Sequence, residues 1–104
     1  MNNLITHNYC AYNYTMKITF DSVKDAANLA KHSLPLDDAR GIDWDTLLAI
    51  EDVRHDYGEV RMIGYAFKET RLHCVVFTDR ANERRIISLR KANKREVDNY
   101  VENY

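Results

Sequence analysis

The chain has 104 residues, 45% of them hydrophobic, which suits one compact domain and leaves little for a second. Charged residues make up 30%, yet the formal net charge is −1, so the total charge points to neither a nucleic-acid nor a membrane partner. No apolar run nears the roughly 18 residues of a membrane-spanning helix, and no basic segment precedes an apolar core at the N-terminus, so a cytoplasmic location is expected.

Residues 1–15 are rich in Asn and Tyr and have no sustained period. They read as a possible flexible extension ahead of a single domain over residues 16–104. Ile18 and Phe20 then alternate with polar residues as in a half-buried strand. Ser22 and Asp25 have capping-box spacing, and Val23, Ala26, Ala27 and Ala30 continue a helix to about His32. Pro35 stops it, and Leu36 to Arg40 can form one more helical turn before Gly41.

After Gly41 the period changes. Thr46 to Val53, Val60 to Phe67, Arg71 to Thr78 and Arg84 to Leu89 have strand length and β-branched or aromatic content. Short links between them imply an antiparallel sheet. From Lys91 onward, Ala92, Val97, Tyr100 and Val101 mark a C-terminal helix, with Arg90 or Lys91 near its start. The expected class is α+β, an antiparallel sheet of four to five strands with an N-terminal helical segment and a C-terminal helix, the helices packed on one face.

Charge is unevenly spread along this order. Leu36 to Glu59 holds six more acids than bases, and Arg80 to Arg95 six more bases than acids. Such asymmetry suggests a basic face for a polyanion, unless folding brings the two stretches together.

Several residues could carry chemistry. On a strand Glu59, Arg61 and Ile63 share a face, with Gly64 opening space on the other. The Glu59–Arg61 neighbours could set a proton acceptor beside a cation, or form a plain exposed ion pair. Strand alternation puts Arg85 and Arg90 on opposite faces unless the chain bends after Leu89. Arginine suits phosphate because its planar fork gives two parallel charge-assisted hydrogen bonds, and Lys91 and Lys94 add positive potential; a solvated cationic face is the competing reading.

His32 is placed to interact with a helix C-terminus, and His55 or His73 could act as a general acid or base. No histidine pair has metal-ligand spacing, Cys10 and Cys74 lack CxxC spacing, and the three glycines are isolated. A zinc motif, a disulfide framework and a glycine-rich nucleotide loop are therefore excluded as sequence motifs.

Three stretches taken together resemble the BrnT family of bacterial toxins: Ile18 to Lys24 with Asn28-Leu29-Ala30-Lys31-His32; Gly58-Glu59-Val60-Arg61 with Gly64; and Arg85 to Ala92 with Glu96 and Tyr100. Order and spacing agree across Met16 to about Tyr100. The resemblance implies a RelE-like fold and a toxin of a type II toxin–antitoxin system that cleaves RNA without metal or cofactor and inhibits translation. It also implies a BrnA-type antitoxin partner, operator DNA contacted indirectly through that complex, and a dimer or hetero-oligomer.

On this reading RNA is cut by attack of its 2′-hydroxyl, with Glu59 as candidate base and Arg61, Arg85 and Arg90 stabilising phosphoryl charge. Phe20, Lys91, Lys94 and Arg95 are the expected RNA-binding residues. The sequence departs from the family pattern at Phe20, usually Trp, at Ser22, usually Pro, and at Ser33, usually Gly. Those departures keep an alternative open, a non-catalytic RNA- or antitoxin-binding module descended from a toxin.

Overall fold

The computed structural model describes residues 16–104; the expected extension at residues 1–15 lies outside the described residues. In chain order the elements are β1 (Lys17–Phe20), α1 (Ser22–His32), a 3-10 turn (Leu36–Gly41), β2 (Ile42–Glu51), β3 (Met62–Lys68), β4 (Arg71–Arg80), β5 (Glu83–Lys91) and α2 (Lys94–Asn103). They form an α+β fold around a five-stranded sheet of order β1-β5-β4-β3-β2.

The meander β2 to β5 is antiparallel, as the short links dictate. One strand departs from the all-antiparallel expectation. β1 runs parallel to β5, with Thr19 opposite Arg85 and Phe20 opposite Ile86, because it arrives from outside the meander and fills the open edge of β5. Beyond Phe20 the chain leaves the sheet, and Asn28 of α1 takes over that edge. Its amide donates to the Leu89 carbonyl at 2.8 Å and accepts from the Leu89 N–H at 3.0 Å, supplying both bonds that a further strand residue would make.

The helix ends follow local chemistry, with two corrections. Asp21, not Ser22, caps α1: its carboxylate accepts from the Val23 and Lys24 amides, each at 3.1 Å. Asp25 instead accepts the Leu36 amide at 2.7 Å, tying the 3-10 turn to α1. Helix α2 begins at Lys94 rather than Lys91, because β5 continues to Lys91 and Asn93 with Glu96 forms a reciprocal capping box.

Alternate residues of the strands point to two separate cores. Leu47, Ala49, Met62, Ala66, Val75, Phe77, Ile86 and Leu89 meet Leu36 and Ala39 of the 3-10 turn on one face. Gly64 belongs to this layer: a Cβ there would lie 2.6 Å from Leu47 Cδ1. On the other face Leu48, Leu72, Tyr65 and Phe67 meet Val97 and Tyr100 of α2. The expectation of helices on a single face is thus corrected, since both faces of the central strands carry apolar side chains that need cover.

Candidate functional site

The face of the sheet that carries α2 leaves a groove of about 690 Å³ between α1 and α2. Its floor is Ile63 and Tyr65 of β3, Cys74 and Val76 of β4, and Ile87, Ser88 and Arg90 of β5. Its walls hold Lys24, Lys31 and His32 from α1, Glu96 from α2, and Arg54 from the β2–β3 loop. Four cations against one carboxylate make this a place for an anion.

A β-bulge decides the position of the arginines. Val76 is opposite Ser88 while Phe77 is opposite Ile86, so Ile87 is an extra residue in β5. The insertion resets the alternation. Arg85 lies opposite Thr78 and Arg90 opposite Cys74, two residues on the same face of β4, so both arginines point to the groove face. The required irregularity is a bulge before Leu89, not a bend after it. The two positions are four residue steps apart along β4, roughly 13 Å.

Arg90 is held end-on by Glu96, with both Nη donors at 2.8 Å from the carboxylate oxygens. Tyr65 Oη also donates to Glu96, at 3.0 Å. The Arg90 guanidinium holds the Glu96 carboxyl down at about 2, well below the usual carboxylate value, and the pair raises Arg90 further. Burial in the groove wall, with Lys31 and Arg90 adding positive potential, lowers the pKa of His32 and favours a neutral imidazole. Burial pushes the Cys74 thiol up, favouring its protonated form.

The other sequence candidates fall in four places. Arg61 precedes β3, with its guanidinium 3.9 Å from the Tyr57 ring centre and Nη2 3.6 Å from Glu59. It shares the strand parity of Ile63 and Tyr65, and the register of β3 on β4 continues it toward Thr78 and Arg85. The Arg85 side chain makes no hydrogen bond or ion pair among the described residues, while its backbone is paired in the sheet between Thr19 and Thr78. Phe20 packs against the core beside Ile86. Lys91, opposite His73, shares the parity of Val75 and Phe77 and faces away from the groove. Lys94 pairs with Asp98 on the exposed side of α2, where Arg95 is also exposed.

His73 is a structural residue: it is 4% exposed, a ring nitrogen lies 2.9 Å from the Arg71 carbonyl, and burial lowers its pKa. Five charged or titratable groove residues were not among the site residues expected from sequence: Lys24, Lys31, His32, Arg54 and Glu96, although Lys31, His32 and Glu96 stand in the family-like stretches. The Asn93-x-x-Glu96 spacing was the available signal for a capping box, and a capping glutamate near β5 is one step from Arg90. His32 and Arg54 carry no such local signal, because only tertiary packing brings them to Arg90.

Comparisons with known proteins bear on the fold and the family. A comparison with curated proteins returned no match. Among solved structures, the chain is similar to the Brucella abortus ribonuclease toxin BrnT, at 25% identity and a TM-score of 0.57, covering 77% of this chain and all of that one. The model of the family described as the ribonuclease toxin BrnT of type II toxin–antitoxin systems matches residues 20–96, which include the capped helix α1, the β2–β3 loop, the bulged β5 and Glu96. The chain therefore belongs to the BrnT family of ribonuclease toxins of type II toxin–antitoxin systems.

Proposed function

We propose that this chain is a metal-independent endoribonuclease that inhibits translation and is neutralised by a BrnA-type antitoxin, with cleavage in the groove between α1 and α2. The observation that carries the reading is the meeting of Arg90, Lys31 and His32 around one groove. Arg90 and Lys31 hold the scissile phosphate, and His32 accepts the proton of the 2′-hydroxyl. The 2′-oxygen bonds to phosphorus, the bond to the 5′-oxygen breaks, and that oxygen takes a proton from water. The products are a 2′,3′-cyclic phosphate and a free 5′-hydroxyl.

His32 fits the acceptor role better than Glu59. His32 lines the groove beside Arg90 and Lys31, and burial favours the neutral imidazole that can accept a proton, whereas Glu59 lies 3.6 Å from Arg61 outside the groove lining. In this scheme Glu59 orients Arg61, and Arg61 and Arg85 engage flanking phosphates on the same face. The arginines stabilise charge that builds on the phosphoryl oxygens, which is worth about 100 to 1,000-fold for one well-placed donor.

The test is cleavage of a labelled RNA by the purified chain in EDTA, with the cyclic phosphate detected on the product. Arg90→Ala and His32→Ala should each lower the rate about 100-fold or more with the circular dichroism spectrum retained, and Arg90→Lys should not restore it. Folded variants that cut like the parent would overturn the site assignment. Cleavage that needs added Mg²⁺ would overturn the metal-independent mechanism.

A further inference from the structure

Resting on the nuclease reading, we propose that Asp52 is a positioning residue. It fixes Arg54 and, through Tyr57, Arg61 as a preformed subsite for the phosphate of an RNA nucleotide beyond the scissile one. Asp52 stands at the start of the β2–β3 loop, among exposed neighbours, yet its side chain is 1% exposed. Its two oxygens accept four donors: the Arg54 amide at 3.1 Å, Arg54 Nε and Nη2 at 2.8 Å each, and Tyr57 Oη at 2.9 Å. Four bonds saturate a carboxylate. The Asp52 amide in turn donates to the Arg61 carbonyl at 2.7 Å and closes the base of the loop.

The arrangement spends only one edge of Arg54. Nε and Nη2 face Asp52, so Nη1 and the outer hydrogen of Nη2 remain directed outward on a side chain that is 70% exposed and lines the groove. An arginine held this way meets an anion without losing further rotamer freedom. The Tyr57 hydroxyl is the link to the second cation. With that hydroxyl on Asp52, its ring carries the Arg61 guanidinium at 3.9 Å, and His55 packs edge-on at 5.6 Å between centres. Arg61 Nε is buried and has no partner among the described residues, and Nη2 lies 3.6 Å from Glu59, so the guanidinium is positioned by the Tyr57 ring without being saturated by hydrogen bonds.

Position argues for a neighbouring nucleotide rather than the cleavage point. Arg61 continues the cross-strand row of Thr78 and Arg85, while Arg90 lies in the row of Cys74 and Tyr65, roughly 13 Å away along the strands. A single RNA strand crossing the groove therefore meets the two cationic rows in succession, and phosphate contacts of this kind position a strand without reading its bases.

The experiment compares a dinucleotide with a single-stranded RNA of about twelve nucleotides. Both are 2′-O-methylated for binding by anisotropy and unmodified for kcat/KM. In Asp52→Asn and in Tyr57→Phe the preference for the longer RNA should fall about tenfold, the effect of one lost charge-assisted contact. Equal weakening toward both lengths, or an unchanged preference, overturns the proposal, because a role confined to folding would not discriminate between lengths. If Asp52→Asn does not fold, Arg54→Lys, which keeps the charge and loses the forked pair, decides by the same ratio. A parent chain that cuts neither RNA sinks the nuclease reading alone; the binding ratio still supports or overturns the subsite.

Discussion

Glu96 serves three partners at once. It bonds the Asn93 amide at 3.0 Å to cap α2, accepts the Tyr65 hydroxyl, and grips Arg90 with both oxygens. Removing the carboxylate therefore loosens the second core and the groove cation together. Its folded-state pKa of about 2 lies below the ordinary value of 4.5, so its contribution is complete above about pH 5 and is lost as pH falls toward 2. That contribution is about 3 kcal/mol at neutral pH. Urea midpoints measured between pH 7 and pH 3 should fall for the parent chain, and Glu96→Gln should start lower and fall less. A variant whose curve parallels the parent's would show that other carboxylates dominate acid unfolding.

The elements explain two departures from the family pattern. Ser22 is the first residue of α1, where proline is favoured because it has no amide to satisfy. Ser33 is its C-cap, in the left-handed region at φ 61°, where glycine has no Cβ to strain. Both positions terminate a helix and neither lines the groove, so they give no support to a degenerate, non-catalytic chain. Ser33→Gly should raise stability by about 1 kcal/mol, seen as a melting temperature several degrees higher. A lower melting temperature would mean that the serine makes a compensating bond. Phe20 differs in kind: it packs on the core beside Ile86, and its ring fills space there without the indole donor.

Element existence and order were legible along the sequence wherever the period was strong. Helix α1 and the 3-10 turn were read to within a residue, and the four meander strands were each recognised. Boundaries shifted where side chains compete for backbone: Asp21 outcompeted Ser22 as a cap, and Asn93 moved the start of α2. The parallel placement of β1 was not legible, because no local pattern says which edge a detached strand will fill.

At the scale of the molecule, the polarised sequence stays polarised in space. The cations near the groove are paired locally, Arg54 with Asp52, Arg61 with Glu59 and Arg90 with Glu96, so the acidic and basic stretches do not cancel through these contacts. The acidic β2 is the free edge of the sheet, with β4 and β3 between it and the basic β5. RNA affinity should therefore fall steeply with salt. Arg85→Ala should lower the slope of log affinity against log salt by about 0.7, the value for one phosphate of a single strand. Arg40→Ala, on the 3-10 turn at the opposite face, should leave the slope as it is. The reverse pattern would move the RNA to the other side of the sheet.

The sequence by itself determined the single-domain size, the α+β class, the basic segment over Arg80 to Arg95 and the family resemblance, because periodicity, caps and short motifs are local properties. Only the tertiary structure decided which cations share a face. Ile87, one inserted residue, turns Arg85 and Arg90 to a common face, and α1 packing on the edge of β5 brings His32 and Lys31 to the same groove. Strand parity is counted one residue at a time, so a single bulge that sequence does not announce reverses every side chain beyond it.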